Sequence, residues 1–153
     1  MTPTEKTDFW GEMSACEHFV QIYERDADFL DRLAEFTAAG IGEDHAAIII
    51  ATAEHRRGLS ERLTRRGFDI KKEQSNGRLH YFDAAETIEK FMVKGWPDRE
   101  LFRWTVGDIL AEARKNNRKV RAFGEMVALM WEKGHTAAVI RLEQLWTELC
   151  SEA

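Results

Sequence analysis

Six polar residues lie in or close after strands of the expected sheet, and their side chains offer the chemistry of a ligand-binding site. They are Tyr23, Thr52, His55, Asp83, Arg121 and Glu125. Ligands of open parallel sheets bind outside the carboxyl ends of the strands, where loops from successive strands converge. We therefore expect these residues to bind a small molecule through hydrogen bonds and charge.

Three of these residues also have a structural interpretation at the start of a helix. Asp83 opens the segment 83–86 (Asp-Ala-Ala-Glu), whose spacing is that of a capping box, so helix capping is its simpler role. Thr52 precedes a helical pattern and is a residue type that caps helices. His55 lies in the first turn of that helix, where it either reaches a pocket over the sheet or is solvated.

The other three residues carry a similar pair of interpretations. Glu125 directly follows a strand and Gly124, where the positive end of the next helix stabilises a carboxylate. Arg121 lies inside a predicted strand, where an unpaired charge is costly. We expect it either to pair with an acidic residue such as Glu143 or to hold an anionic ligand. Tyr23 ends the first strand, and its phenol either points into the cleft or closes the core.

The glycines exclude phosphate chemistry by the usual route. A P-loop requires the pattern GxxxxGK[ST], whose backbone N–H groups and Lys bind the phosphates. None of the ten glycines is followed by Lys. The loop at 24–26 (Glu-Arg-Asp), after the first strand, is short and net acidic, so it repels a triphosphate.

Metal and nucleophile chemistry find no support in the sequence either. The histidines are His18, His45, His55, His80 and His135. No two of them have the HxxxH or HExxH spacing of a metal-binding helix, and only Cys16-x-His18 brings two soft ligands together. The chain has no G-x-S-x-G elbow for a serine nucleophile. We therefore expect no metal, no cofactor and no enzymatic activity.

Composition and charge narrow the class of protein. The chain has 153 residues, of which 44% are hydrophobic and 32% are charged, as is typical of one globular domain. The net charge of −5 argues against direct binding to nucleic acid or to anionic membranes. No stretch approaches the roughly 20 apolar residues of a membrane span. We expect a cytoplasmic protein whose cysteines, Cys16 and Cys150, are reduced.

Strands alternate with helical patterns along the whole chain. The predicted strands span residues 18–23, 46–51, 79–82 and 120–123. Apolar residues at three- and four-residue spacing predict the helices between them, with Gly40 ending the first helix and Gly67 the second. The turn at 95–98 starts a further helix, and Gly134 separates the last two. This alternation predicts an α/β fold, a three-layer sandwich with a mainly parallel sheet.

Several segments resemble one family, the MEDS domain, named for methanogens, methylotrophs and the DcmR sensory protein. The matching segments are HFVQIY at 18–23, IIIATAEH at 48–55, RL at 78–79, DAAET at 83–87, FM at 91–92, GWPD at 95–98, RAFGEMVAL at 121–129 and LEQLW at 142–146. The resemblance implies a RecA/KaiC-like fold without a phosphate-binding loop. It also implies that Glu125 ends a strand similar in position to the acidic strand of those ATPases.

The resemblance further implies a non-enzymatic sensory or signal-input domain at 17–153, after an N-terminal extension at 1–16. Such a domain binds a small organic molecule, a signalling partner or both, and so regulates transcription or a two-component or partner-switching pathway. Because the sequence holds no recognisable output domain, we expect a separate kinase, anti-sigma protein or DNA-binding regulator as partner. An exposed edge strand would favour a homodimer.

Two alternative functions stay open at the level of sequence. The first is a nucleotide-binding protein or weak ATPase that uses a non-standard phosphate loop. The second is a purely structural protein-interaction module, in which side chains fill the cleft at the strand ends. Saturable binding of Mg-ATP would support the first alternative, and an empty, polar-lined cleft would count against the second.

Overall fold

The chain folds around one parallel β-sheet. A computed structural model describes residues 18–19, 26–126, 129–130 and 134–151. The strands are β1 (His18–Phe19), β2 (Ala46–Ala51), β3 (Leu79–Asp83), β4 (Met92–Val93), β5 (Trp96–Pro97) and β6 (Val120–Gly124). The helices are α1 (Asp26–Gly42), α2 (Ala53–Arg65), α3 (Ile70–Ser75), α4 (Ala84–Phe91), α5 (Arg99–Ala113) and α6 (Thr136–Ser151).

The described strands of the main sheet lie in the order β1-β6-β2-β3, and all their pairings are parallel. In the centre, Ile48 of β2 lies opposite Ala122 on one side and His80 on the other. Every residue of β2 is buried, as expected of an apolar run covered on both faces. The predicted strands at 46–51, 79–82 and 120–123 are confirmed, and the strand at 18–23 is confirmed at its first two residues; residues 20–25 lie outside the described part.

Helices cover both faces of the sheet, because successive side chains of β2 point in opposite directions. On the first face, Ala47 and Ile49 pack with residues of α1 and α2, including Phe29 and Leu59. On the second face, Ile48 and Ile50 pack with residues of α4, α5 and α6. This second cluster includes Phe91, Phe102, Val106, Leu142 and Trp146. The predicted three-layer α/β sandwich is therefore confirmed.

Side-chain caps begin the helices that follow β2 and β3. The hydroxyl of Thr52 accepts a hydrogen bond from the backbone N–H of His55 at 3.2 Å. The carboxylate of Asp83 accepts one from the backbone N–H of Glu86 at 3.0 Å. Both bonds satisfy N–H groups that have no partner inside their helix, so both predicted N-caps are confirmed.

The end of α1 differs from the sequence prediction. Gly40 was expected to stop the helix, but α1 continues to Gly42, and the left-handed turn residue is Asp44 with a φ of 62°. Gly40 instead allows a close approach, because a Cβ at this position would lie 2.8 Å from Cδ of Arg121. Its small size therefore matters for packing, and the prediction of a helix stop at Gly40 was wrong.

Helix α3 and strands β4 and β5 were not predicted. Helix α3 is a short helix capped by Asp69, whose carboxylate accepts a hydrogen bond from the backbone N–H of Lys72 at 3.2 Å. Strands β4 and β5 form a two-stranded antiparallel hairpin around Lys94 and Gly95, both with positive φ. Such short elements carry too few residues to show a hydrophobic period.

The chain leaves the two central strands toward opposite faces. Helix α2 follows β2 and contributes Leu59 and Leu63 to the cluster on the first face. The helical residues Met126 and Met130 follow β6 and belong to the cluster on the second face. In open α/β sheets, the place between the carboxyl ends of two strands that diverge in this way is the crevice where ligands bind; here it lies between Thr52 and Glu125.

Candidate functional site

Glu125 lies at this place in the fold, one residue after β6, and its side chain is only 5% exposed. Its Oε2 accepts a hydrogen bond from the backbone N–H of Thr52 at 2.9 Å. Its Oε1 contacts Nδ1 of the His55 ring. Its own backbone N–H donates to the carbonyl of Ile50 at 2.9 Å, which continues the pairing of β6 with β2. One buried carboxylate thus joins the end of β6 to the start of α2.

His55 is held in the crevice from several directions. Its backbone N–H is used by the Thr52 cap, and its ring nitrogen Nδ1 faces Glu125. The edge of its ring meets Phe29 of α1, with the ring centroids 5.0 Å apart and the planes at 68°. Phe29 in turn contacts Phe123 of β6 at 5.2 Å. The imidazole therefore touches α1, α2 and the turn after β6, and it retains 16% exposure.

A second pair of charges lies at the end of β3. Nη2 of Arg56 donates to Oδ1 of Asp83 at 3.0 Å, while the other carboxylate oxygen caps α4. About a quarter of each side chain is exposed, at 27% and 26%. Nε of Arg56 is buried and has no hydrogen-bond partner among the residues that the structure describes. This ion pair connects the first turn of α2 to the first turn of α4 across the carboxyl ends of the strands.

Tyr81 of β3 extends the polar contacts beneath this ion pair. Its phenol lies 2.8 Å from the hydroxyl of Ser60 on α2. Burial raises the pKa of Tyr81, an effect that the hydrogen bond to Ser60 and the charge of Arg56 partly oppose. Tyr81 therefore stays a neutral hydrogen-bonding group at physiological pH.

Arg121 lies near the start of β6, at the amino ends of the parallel strands and four residues before Glu125. Its Nη1 donates to the carbonyl of Phe36 at 3.2 Å, its Nε to Nδ1 of His45 at 3.1 Å, and its Nη2 to Glu43 at 3.3 Å. Its guanidinium carbon also lies 5.5 Å from the centre of the Phe36 ring. The expected pairing with Glu143 was wrong, because Glu143 belongs to α6 on the other face of the sheet.

The family of the chain follows from a comparison with known domains. The model of the "MEthanogen/methylotroph, DcmR Sensory domain", MEDS, matches residues 17–153. The chain belongs to the MEDS family. No curated protein and no solved structure matches it. The match confirms the family resemblance noted in the sequence and supports a sensory role, while the relationship to RecA/KaiC-type ATPases stays a prediction.

The structure therefore brings four of the six expected site residues of this MEDS domain to the carboxyl ends of the parallel strands. Thr52, His55 and Glu125 form one contact group, and Asp83 lies at the end of the neighbouring strand. Arg121 lies at the amino ends of the strands and is not part of this group. Tyr23 lies outside the described residues, so its expected position at the crevice stays a prediction.

Three further residues near the carboxyl ends of the strands were missed in the sequence: Arg56, Ser60 and Tyr81. Arg56 directly follows His55 and lies in the first turn of a helix that starts at a strand end, so its position was a usable signal. Ser60 and Tyr81 carried no such signal, because their contact depends on how α2 lies across β3. Within the described residues, no three His, Cys, Asp or Glu side chains cluster as metal ligands would.

None of the helices that the structure describes in this MEDS domain is both long enough and apolar enough to cross a bilayer.

Proposed function

We propose that this MEDS domain is a non-enzymatic signal-input domain that binds a small organic ligand at the crevice between β2 and β6. Occupancy of the crevice would be read by a separate signalling protein that controls transcription or a two-component or partner-switching pathway. The observation that supports this proposal is the buried carboxylate of Glu125, which bonds to Thr52 and contacts His55. Family membership supports the sensory role in general terms.

The proposed mechanism uses the position of Glu125 between the two faces. A ligand that bonds to His55 or Glu125 competes with the contact between them. Because α2 and the residues after β6 pack on opposite faces, a change of partner at Glu125 alters how the two helical layers are held together. A ligand drives such a change only if it binds the two arrangements with different affinity.

The groups at the crevice indicate the chemistry of the ligand. Glu125 and Asp83 supply acceptors, while Arg56 supplies a charged donor and His55 supplies a ring that can donate or accept. Charges of both signs favour a small molecule that carries both a donor and an acceptor. A nucleotide is less well supported, because Thr52 alone separates β2 from α2 and leaves no loop at this junction to wrap phosphates.

Native mass spectrometry of the freshly purified protein tests the proposal, with the denatured mass as reference. We expect an excess mass that disappears on denaturation and is lost in Glu125→Gln and His55→Asn. Glu54→Gln is the matched control, because Glu54 is exposed in the same first turn of α2 and has no part in the contact group.

A thermal-shift screen with small organic acids, amines and alcohols completes the experiment. A ligand that binds only the folded state raises the midpoint of unfolding by mass action. We expect the shift in the wild type and in Glu54→Gln, and its loss in the two crevice variants. An equal shift in all four proteins would contradict a site at Glu125. The absence of any adduct or shift would support the alternative of a purely structural interaction module.

A further inference from the structure

Helix α2 carries an unusually basic surface for an acidic protein. Residues 53–65 hold four Lys or Arg and two Asp or Glu, a net charge of +2 in a chain of net charge −5. On the outward face of α2, three exposed charges follow each other at four-residue spacing: Arg57, Glu61 and Arg65. With Ser60 and Thr64 they line a shallow groove of ≈ 490 Å³. The sign of the charge along this face therefore reads plus, minus, plus.

Helix α1 carries the inverse sequence of charges. Its outward face exposes Asp28, Arg32 and Glu35, at spacings of four and three residues. The sign along this face reads minus, plus, minus. Residues at these spacings lie on one side of a helix, so each helix presents its three charges as a stripe.

The two stripes lie side by side on the first face of the sheet. Both helices follow parallel strands and run in the same direction. They approach closely where Gly58 meets Leu30, since a Cβ on Gly58 would lie 2.6 Å from Cδ1 of Leu30. Nε of Arg62 also donates to Asp31 at 2.8 Å across the seam between the helices.

This contact fixes the relative height of the stripes along the helix axes. If Leu30 is level with Gly58, then residues 28, 32 and 35 of α1 are level with about 56, 60 and 63 of α2. The oppositely charged residues of α2 are therefore one or two positions further along. At about 1.5 Å per residue, that offset is within the reach of long charged side chains.

We infer that the outward faces of α1 and α2 form an interface with a second copy of this chain. A two-fold axis along the seam lays α1 of each copy over α2 of the other and preserves the direction and height of both helices. The opposed pairs are Asp28 with Arg57, Arg32 with Glu61, and Glu35 with Arg65. Every pair then has opposite signs, and each occurs twice, as an isologous interface requires.

The self-complementary pattern is the reason to choose a second copy as the occupant. A polyanion would meet Glu54 and Glu61 among the basic residues of α2, and it would leave the charges of α1 without a counterpart. This inference goes beyond the proposed function and does not depend on a ligand. It does put the crevice near the interface, because Phe29 and His55 lie on the inner sides of these same helices.

Charge reversal tests the interface by sedimentation and light scattering. In Arg57→Glu with Arg65→Glu, all three charges of the α2 stripe are negative; in Asp28→Lys with Glu35→Lys, all three charges of the α1 stripe are positive. We expect each variant alone to self-associate on the order of 100-fold more weakly, because four ion pairs per dimer become repulsive. An equal mixture of the two variants should dimerise again, since each opposed stripe is then of opposite sign. Wild-type association should weaken between about 20 and 500 mM salt.

The matched control is Lys90→Glu with Lys94→Glu, which makes the same change of charge on exposed residues beyond the opposite face. It should leave association unchanged. A wild-type monomer at every concentration, a mixture that stays monomeric, or a control that weakens association equally would each overturn the inference. Circular dichroism checks that the variants fold. If a reversal variant does not fold, Arg57→Gln with Arg65→Gln replaces it, with a smaller loss of association expected.

Discussion

Buried charges lie at both ends of the parallel strands, and two of them, Arg121 and Glu125, come from the same short stretch of chain. Glu125 at the carboxyl edge is 5% exposed, and Arg121 at the amino edge is 3% exposed. Each charge complements a helix end. The carboxylate meets the N-terminus of α2, and the guanidinium bonds to a carbonyl near the C-terminus of α1.

The two charges differ in where their partners come from. Within the described residues, the hydrogen-bond partners of the Arg121 side chain all belong to one continuous segment, residues 36–45. Glu125 instead meets Thr52 and His55, which begin a helix on one face, while the chain after Glu125 packs on the other face. Arg121 therefore fixes a local turn, whereas Glu125 connects the two layers. Equal burial does not mean an equal role, and the origin of the partners distinguishes a structural charge from a coupling charge.

The largest expected effect comes from removing Arg121, the buried charge at the amino ends of the strands. Arg121→Met should lower the free energy of unfolding by about 3 kcal/mol, because the hydrogen bonds that the guanidinium donates to Phe36, His45 and Glu43 are lost and its place is only partly filled. Urea denaturation measures this loss. Lys119→Met, at an exposed position two residues earlier, should change stability by less than about 0.5 kcal/mol. A similar small change in Arg121→Met would show that this charge does not hold the turn.

The next effect concerns the carboxyl edge. Glu125→Gln should lower the free energy of unfolding by about 2 kcal/mol, because the amide keeps the bond to Thr52 but loses the charge that faces His55. A double-mutant cycle with His55→Asn should give a coupling energy of about 1–2 kcal/mol, as for groups in one hydrogen-bonded network. Additive effects would mean that the two side chains act independently. They would contradict the conclusion that Glu125 connects the two helical layers.

A smaller effect separates packing from helix propensity at Gly40. Gly40→Ala should destabilise the protein by about 1 kcal/mol, because the new Cβ would meet Cδ of Arg121 at 2.8 Å. In the Arg121→Ala background, the same substitution should stabilise by up to about 1 kcal/mol, since alanine favours a helix and the obstruction is gone. Urea denaturation of the four proteins measures both values. If Gly40→Ala changes the free energy of unfolding in the same direction in both backgrounds, the small size of Gly40 does not serve to accommodate Arg121.

The smallest effect is a pH dependence at the amino edge. Burial lowers the pKa of His45, and the charge of Arg121 lowers it further, while the carboxylates of Glu43 and Asp44 oppose this. Nδ1 of His45 accepts a hydrogen bond from Arg121, so the folded state favours the neutral ring. The unfolded state then binds a proton more readily, and stability should fall as the pH drops below about 6.5.

Thermal unfolding of the wild type and of His45→Gln between pH 8 and pH 5 measures this dependence. The variant should lose the part of the decline that comes from residue 45, because glutamine does not titrate and its side-chain oxygen can still accept from Arg121. A steeper decline in the variant would reverse the sign of the predicted effect. The other histidines remain in both proteins and serve as the internal control.

Local sequence features predicted much of the fold for identifiable reasons. A strand formed by residues 46–51 is apolar on both faces, and its side chains leave water only if helices cover the sheet on both sides. Thr52 and Asp83 were predicted as N-caps because capping depends on a residue and the backbone three positions away. By contrast, Gly40 was taken for a helix stop, because the sequence does not reveal that Arg121 passes beside it.

The sequence by itself determined the helix starts at Thr52 and Asp83, the apolar central strand and the absence of a P-loop motif, because each depends on residues close together in the chain. Only the tertiary structure decided that β6 lies between β1 and β2. That order brings Glu125 to His55 across 70 residues. Local periodicity indicates which residues are buried but not which strands are neighbours, since strand order is set by contacts between distant segments.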